Sequence, residues 1–214
     1  MKLGPLLLLI PILAYVLPAD RALEQIGKAN PLRGPIALVV KVEGVDATWP
    51  SQVSIDVHPR EGVRVDDGRG GRWVVRGGRV VAASSSQLPA WLPQLEVVAF
   101  SSADSLTSWL RASGVDVQRN ELGRCGAEDC FVIGGRDGPA QLWVEKDRFE
   151  PRRWVTGAGR SFEFGKYAAF GNVKFPSKIE VFEADGRLAT LTVAQLTPAS
   201  TLGPADFSPR WATP

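Results

Sequence analysis

The sequence is poor in the residues on which most enzymes and metalloproteins depend. Its 214 residues include one histidine, two cysteines and one methionine, which is the first residue. Zinc enzymes, Ser–His–Asp hydrolases and iron–sulfur proteins need several such side chains in fixed positions, so this composition disfavours all three classes. The 25 basic and 23 acidic residues nearly balance, which leaves no cationic excess for binding nucleic acid. A hydrophobic fraction of 44% is typical of a globular domain.

No motif in the sequence supplies a catalytic or cofactor-binding site instead. His58 falls on the polar face of an alternating strand, and no nucleophile and carboxylate that would make it catalytic can be identified, so we expect it to face solvent. The glycines at 68–71 precede a strand, whereas a phosphate-binding loop precedes a helix. We therefore predict no enzymatic activity, no metal site and no cofactor.

The chain begins with the pattern of a secretory signal peptide. Met1-Lys2 is followed by an apolar run over residues 3–17, and Ala19 is a small residue suited to cleavage. A retained membrane anchor is the alternative, although the run is shorter than the ~20 residues of a spanning helix and contains prolines. We predict a signal peptide over residues 1–19 and a single exported domain over residues 20–214.

The two cysteines are spaced for a disulfide across a hairpin. Cys125 and Cys130 flank a four-residue turn between runs that can pair as antiparallel strands, and such positions lie within disulfide range. A redox pair normally has two intervening residues, and a metal clip lacks further His or Cys partners. We interpret the pair as a structural disulfide, which stabilises so short a loop by about 2 kcal/mol.

The hydrophobic pattern predicts a few short helices and many strands. Residues 20–30 form an amphipathic helix capped by Asp20, and Asp104 caps a second helix that ends at Gly114. Elsewhere apolar residues alternate with polar ones, which predicts about eleven strands. The first strands lie at 36–43, 53–58, 63–65, 73–75 and 79–81. The later strands lie at 115–121, 129–134, 140–146, 152–156, 160–167, 172–183 and 187–196.

A sheet with this many strands cannot stay flat and open, so it must curl. Its apolar face then becomes concave and has to be filled. The helix at 20–30 and the apolar, proline-rich segment at 84–112 are the available fillers. The predicted fold is mainly β with a few short helices, a curved antiparallel sheet that forms an incomplete β-barrel plugged by helices.

Two features of the sequence remain open between a structural and a functional interpretation. Lys146, Arg148, Arg152 and Arg153 form a basic cluster, either a solvated hairpin or a contact patch for an acidic partner or an anionic lipid headgroup. The aromatic residues either fill an ordinary core or line an apolar cavity, and alternation does not distinguish the two. They include Trp91, Trp109, Trp143, Trp154, Phe162, Phe164 and Phe182.

Three stretches resemble the outer-membrane lipoprotein carrier and sorting family (LolA/LolB-like). AQLWVEKD at 140–147, with Phe149, Pro151 and Arg152 after it, resembles the second half of the family. Lys166-Tyr167 followed by GNVKFPSKIEV at 171–181 is similar to the family's step from strand through Phe-Pro to strand, and DFSP at 206–209 resembles its closing motif. The sequence resemblance extends over residues 85–210. Over residues 20–80 the chain resembles the family only in its predicted architecture.

The resemblance implies a LolA-like incomplete barrel, closed by helices over an apolar cavity. It implies a periplasmic, non-enzymatic carrier that shields the acyl chains of lipoproteins or phospholipids during transfer toward the outer membrane, with membrane donor and acceptor proteins as partners. Because the receptor branch is lipid-anchored and this chain has no cysteine near its start, the soluble carrier fits better, as a monomer. The alternative is an envelope sensor or protein-interaction module that uses the same fold with a filled core.

The predicted cavity and lid residues follow from this architecture. The segment from Pro89 to Pro93 is the expected lid, and charged residues at Leu92 and Leu95 are expected to abolish lipid binding. The predicted ligand-binding set is Val40, Val42, Ile55, Trp73, Trp91, Leu92, Leu95, Leu106, Trp109, Leu110, Phe162 and Phe164.

Overall fold

A computed structural model describes residues 16–44, 46, 48–85, 89, 91–92 and 94–213. Residues 1–15 of the predicted signal peptide lie outside this range, as do residues 86–88, 90 and 93 of the proline-rich segment predicted at 84–112, of which 90 and 93 belong to the predicted lid. The described part contains fourteen strands and three α-helices. Strands β1 to β7 are Ile36–Gly44, Gln52–His58, Gly62–Asp66, Arg72–Arg76, Arg79–Ala83, Asn120–Cys125 and Glu128–Ile133. Strands β8 to β14 are Gln141–Glu145, Pro151–Val155, Ser161–Phe164, Tyr167–Phe170, Val173–Pro176, Lys178–Glu183 and Gly186–Pro198. The α-helices α1 to α3 are Ala19–Ala29, Ala103–Ala112 and Pro209–Ala212, with 3₁₀ turns at Leu95–Val97 and Pro204–Phe207.

One antiparallel sheet contains twelve of these strands, in the order β5-β4-β3-β2-β1-β14-β13-β10-β9-β8-β7-β6. The N-terminal meander extends from β1 to one edge, and the C-terminal strands extend from β14 to the other. The edge strands β5 and β6 do not pair with each other, so the sheet is an incomplete barrel, as predicted. Strands β11 and β12 form a separate hairpin.

The inner face of the sheet is built by the predicted alternation. In β1, Leu38, Val40 and Val42 are buried on this face, and Val53 and Ile55 of β2 lie opposite them. At the C-terminal end, one inner row crosses neighbouring strands through Ile133, Leu142, Trp154, Phe162 and Val181. Burying each such side chain stabilises the fold by about 1.5–3 kcal/mol, so the inner face provides the main core.

Helices α1 and α2 lie next to each other over this inner face, at a separation that a glycine allows. A Cβ atom at Gly27 would lie 2.5 Å from the backbone nitrogen of Ala103. Helix α2 is capped by Ser102, whose Oγ accepts a hydrogen bond from Ser105 N, while Ser105 Oγ accepts one from Ser102 N. The prediction that Asp104 caps α2 is therefore wrong, because Asp104 lies in the first helical turn.

The first and last residues of several predicted elements also differ from those in the structure. Helix α1 starts at Ala19 and has no side-chain cap, so Asp20 lies within its first turn rather than capping it. Strand β6 begins only at Asn120. The run predicted at 160–167 contains β10 and ends at the first residue of β11, and the run predicted at 172–183 contains both β12 and β13. The second run breaks at Ser177, whose backbone N–H and hydroxyl both donate to the Lys166 carbonyl. Strands β11 and β12 pair with each other in a sheet of their own, and the described part has fourteen strands where about eleven were predicted.

The C-terminal segment covers part of the outer face of the N-terminal meander. Phe207 is fully buried there, and the Arg64 guanidinium lies 5.6 Å from its ring and 4.9 Å from that of Trp211. Arg64 also donates a hydrogen bond to the Asp206 carbonyl, and the Asp206 side chain accepts one from Gly203 N. The DFSP motif thus holds the chain end against the sheet, which is a structural role.

Candidate functional site

The predicted ligand-binding residues all belong to one continuous hydrophobic core between the sheet and the layer over it. All are buried except Leu92, which is half-buried and packs against the core. The structure therefore brings together residues from four strands, the 3₁₀ turn, α2 and the segment before the turn. Their role in holding a ligand stays a prediction.

We call the layer over the inner face the cover. It consists of α1, the described residues between 89 and 100, and α2. Trp91 and Leu95 contribute buried side chains to the core, while Leu92 remains partly accessible. The Leu92 N–H donates to the Pro89 carbonyl, which makes a tight turn at this point. The underside of the cover is thus mainly apolar, and among its described residues between 89 and 100 the one regular element is the 3₁₀ turn at Leu95–Val97.

A polar contact, which we call the latch, joins the cover to the sheet. Gln94 Oε1 accepts a hydrogen bond of 2.6 Å from Trp154 Nε1, and Gln94 Nε2 donates to the Gly78 carbonyl at 3.4 Å. Glu96 Oε1 accepts a hydrogen bond of 3.0 Å from Gly78 N. The Trp154 ring also packs against Trp109 of α2, with ring centroids 4.9 Å apart. The latch therefore involves Gln94, Glu96, Gly78 and Trp154.

Sequence reasoning missed the latch residues. Gln94 and Glu96 alternate with apolar residues in a stretch that is otherwise apolar, and polar residues in such a stretch are the signal that could have identified them. Their partners lie up to 60 residues away in the chain, so no local pattern identifies the contacts.

Several polar atoms beneath the cover are buried without a hydrogen-bond partner among the described residues. They are Glu96 Oε2, Trp109 Nε1 and Trp73 Nε1. Burial raises the pKa of the Glu96 carboxyl, and the Gly78 N–H offsets only part of that effect. Each unpaired buried polar group lowers the stability of the fold by about 1–3 kcal/mol, so the closed arrangement leaves these groups without the hydrogen bonds that they could form.

Two grooves open at the boundary between the cover and the sheet. The first, of about 480 Å³, lies between the end of α1, the start of β1, the β11–β12 hairpin and Val98 of the cover. We call it the basic groove, because Lys28, Arg33 and Lys174 line it above Leu32 and Phe175. The second, of about 420 Å³, lies beside the latch and is lined by His58, Glu96 and Trp109 among others.

His58 does not simply face solvent, as the sequence predicted. Its Nδ1 accepts hydrogen bonds of 3.2 Å from the backbone N–H groups of Arg60 and Glu61, and its ring lies edge-on to Phe207. The side chain is half-buried. These contacts stabilise the turn between β2 and β3, which gives His58 a structural role.

The predicted basic cluster is largely an internal ion-pair network. Arg148 pairs with Glu128, Glu145 and Glu150, and Arg152 pairs with Glu128 and Glu150. Glu145 and Glu150 are only 3% and 2% exposed. Burial alone would raise the pKa of Glu145, but the Asp147 and Arg148 N–H donors and the Arg148 guanidinium outweigh it and lower that pKa. Acidic residues on neighbouring turns therefore neutralise most of this cluster.

The outer face of the C-terminal strands has its own small packed layer. Cys125 and Cys130 form the predicted disulfide, with Cα atoms 6.0 Å apart, at the end of the β6–β7 hairpin. Trp143 lies over Gly123, where a Cβ atom would come within 2.5 Å of the indole ring. The Trp143 indole donates a hydrogen bond to Gln141 Oε1. Trp143 therefore belongs to the outer face and not to the inner core.

Within the described part of the chain, no cluster of three or more His, Cys, Asp or Glu side chains could hold a metal ion. No helix in the same part combines the length and the apolar character needed to cross a bilayer.

Several solved structures are similar to this chain. An outer membrane lipoprotein-sorting protein domain from Vibrio parahaemolyticus is 12% identical with a TM-score of 0.54, over 92% of this chain and 100% of that one. A LolA superfamily protein from Nitrosomonas europaea is 13% identical with a TM-score of 0.48, over 91% and 99% of the two chains. MucB in the MucA/MucB complex of Pseudomonas aeruginosa is 16% identical with a TM-score of 0.32, over 89% and 60%.

The sequence itself matches no family model and no curated protein. The fold assignment rests on the Vibrio domain, which is covered from end to end by this chain. The open antiparallel sheet, the helices over its inner face and this structural similarity agree with the resemblance seen in the sequence. The chain has the LolA-like fold that the sequence predicted, an open antiparallel sheet with helices over its inner face.

Proposed function

We propose that this protein is a non-enzymatic carrier that encloses the acyl chains of lipoproteins or lipids between its curved sheet and its cover. The proposed place of action is the periplasm, and the proposed direction of transfer is toward the outer membrane. A fold alone does not determine function, so the proposal depends on the site beneath the cover.

The observation that supports the proposal most is the way in which the cover is attached. Neighbouring strands of the sheet are joined by ladders of backbone hydrogen bonds, whereas the middle of the cover is held at the latch by the side chains of Gln94 and Glu96. Trp91 and Leu95 of the same segment meet the sheet through the hydrophobic core. A layer held in this way separates from the sheet at a lower free-energy cost than a strand does.

An acyl chain can take the place of the cover side chains against the sheet. Burial stabilises an acyl chain by about 0.8 kcal/mol per methylene, or about 12 kcal/mol for a ~16-carbon chain. The net gain is smaller, because opening the cover breaks the contacts of Trp91 and Leu95 with the core. The same contacts re-form when the chain leaves, which favours release to an acceptor.

The unpaired polar atoms fit the ester region of a lipid. An ester carbonyl can accept a hydrogen bond from Trp109 Nε1, and a hydroxyl can donate one to Glu96 Oε2. Hydrogen bonds from the lipid to these buried groups would remove the desolvation penalty that the groups carry while they are unpaired in the closed protein.

Native mass spectrometry of the protein purified from the periplasm tests this function. We expect a bound species with the mass of a phospholipid, fatty acid or acylated peptide. Leu92→Asp should lose this species, because a charge at this half-buried position opposes an acyl chain beneath the cover. Val81→Asp is the matched control, since Val81 is 45% exposed on the edge strand β5, and it should retain the lipid. A wild-type protein that carries no lipid, and binds none when incubated with oleate, would contradict the proposal.

The packed state of the core favours one other function. Because all the predicted cavity residues except Leu92 are buried in the closed protein, the core can also serve as the filled interior of an envelope sensor or protein-interaction module. Failure of the wild-type protein to bind oleate, together with capture of a folded protein partner in the periplasm, would support that alternative.

A further inference from the structure

We propose that the basic groove binds the anionic headgroup of the acyl-bearing ligand. The ligand class is an amphiphile whose headgroup carries a carboxylate or a phosphate. This inference rests on the proposed carrier function, and it adds a second recognition element that selects cargo by charge.

The floor of the basic groove is continuous with the core. Leu32, Ile36, Val98 and Phe175 line the groove, and each of them is also a buried member of the core beneath the cover. Val98 belongs to the cover and Ile36 belongs to β1 of the sheet. The groove therefore lies where the cover meets the sheet, and an acyl chain that passes between them can end with its headgroup in this groove.

The lining of the groove is positively charged. Among the described residues that line it, Lys28, Arg33 and Lys174 are basic and none is acidic. They come from three separate elements, namely the last turn of α1, the connection to β1, and β12. A cationic rim above an apolar floor complements an anionic amphiphile, because the rim can pair with the headgroup and the floor can contact the acyl chain. A free anion would gain nothing from contact with the apolar floor.

The rim cations can exchange their present partners for a ligand. Arg33 is exposed and has no ion-pair or hydrogen-bond partner among the described residues. Lys28 pairs with Glu24 at 2.6 Å, but its side chain is 64% exposed, and exposed pairs of this kind contribute little stability.

Lys174 has a different kind of partner. It lies 2.5 Å from Glu150, whose carboxylate also lies 3.6 Å from Arg148 and 3.5 Å from Arg152. If Lys174 turns toward a ligand, the two arginines still neutralise the buried Glu150. Lys174 can therefore exchange Glu150 for a ligand in the groove without leaving that carboxylate uncompensated.

Two probes that differ only in charge test the proposal on the full protein. The fluorescent cis-parinaric acid carries a carboxylate, and cis-parinaryl alcohol has the same chain without the charge. We expect Lys28→Gln/Arg33→Gln to weaken binding of the acid about tenfold at low ionic strength, and to leave binding of the alcohol within about twofold. The matched control is Arg79→Gln/Arg111→Gln, which removes the same charge at exposed positions away from the groove and should leave both affinities within about twofold.

The outcomes separate this inference from the carrier function. If both double variants weaken binding of the acid equally, or if neither weakens it, the headgroup site is overturned. Binding of both probes to the wild-type protein would still support a carrier. If neither probe binds to the wild-type protein, the carrier function itself fails. Displacement of the acid by inorganic phosphate at constant ionic strength would assign the groove to free anions and overturn the proposal, and absence of displacement supports an amphiphile.

Discussion

The indole nitrogen of Trp154, on the inner face of the sheet, donates a hydrogen bond of 2.6 Å to the side-chain oxygen of Gln94 in the cover. The same Gln94 amide reaches the Gly78 carbonyl, and Glu96 accepts a hydrogen bond from the Gly78 N–H. One short segment of the cover is thus joined both to a C-terminal strand and to the turn between β4 and β5. If the cover opens as proposed, the hydrogen bonds of the latch have to break, so variants of the latch test the opening.

Removing the Gln94 side chain should loosen the cover. In Gln94→Ala, Trp154 Nε1 becomes an unpaired buried donor, so we expect the free energy of unfolding to fall by about 1–3 kcal/mol. We also expect bound cis-parinaric acid to dissociate severalfold faster in stopped-flow fluorescence. Gln118→Ala changes an exposed glutamine in the loop before β6 and is the control. Equal dissociation rates for the two variants would show that the latch does not limit opening.

Glu96 should make stability depend on pH. Burial raises the pKa of Glu96 above its ordinary value of 4.5, so the folded protein binds this proton more tightly than the unfolded chain does. The associated stabilisation is fully present below pH 4.5 and is lost as the pH rises through the raised pKa. In Glu96→Gln this loss is absent, so the variant should gain stability relative to the wild type as the pH rises above 4.5.

Urea unfolding at a series of pH values measures this effect. Glu163→Gln is the control, because Glu163 is exposed and lies 4.0 Å from Arg153. Parallel pH profiles for the wild type and Glu96→Gln would contradict the prediction.

Gly27 should be intolerant of even one added carbon. The Cβ atom of an alanine there would lie 2.5–2.6 Å from backbone and Cβ atoms of Ala103, so α1 and α2 would have to move apart. We expect Gly27→Ala to lower the unfolding free energy by about 1–3 kcal/mol, although alanine favours the helix itself. Thermal or urea unfolding measures the change. Gly34→Ala has nothing within 4 Å of the added atom and should change stability little, and similar losses in both variants would refute a packing cause.

Glu150 should contribute to stability through its buried position among cations. Removing one member of a buried ion pair typically costs about 3–5 kcal/mol. We expect Glu150→Gln to cost about 2 kcal/mol, less than that range because Arg148 and Arg152 keep Glu128 as a partner. Urea unfolding at neutral pH gives the value. Glu163→Gln again serves as the exposed comparison, where a loss below about 0.5 kcal/mol is expected, and an equal loss in both would argue against a buried network.

Local regularities predicted much of this fold. Alternation at residues 36–43 and 53–58 identified β1 and β2, since side chains of a strand point to opposite faces at every second residue. The spacing of Cys125 and Cys130 identified the disulfide for a similar reason, because both lie on one hairpin. The number of strands, combined with the need to cover an apolar face, indicated the open barrel and its helical cover.

The same regularities failed where two residues fit a local pattern equally well. Serine and aspartate are both good helix caps, so the pattern could not decide between Ser102 and Asp104. Trp143 and Trp154 both lie in alternating strands, yet one packs on the outer face over Gly123 and the other in the inner core. Alternation defines two faces but does not say which one meets the cover.

The sequence by itself determined the class of fold, the covalent link between Cys125 and Cys130, and the absence of a recognisable catalytic motif. The tertiary structure decided how Gln94 meets Trp154, how Glu128 and Lys174 come to pair with Arg152 and Glu150, and how Lys28 and Lys174 come to line one groove. The physical reason is separation along the chain. Periodicity and capping act over a few residues, whereas these contacts form only after the sheet has curled and the cover has closed over it.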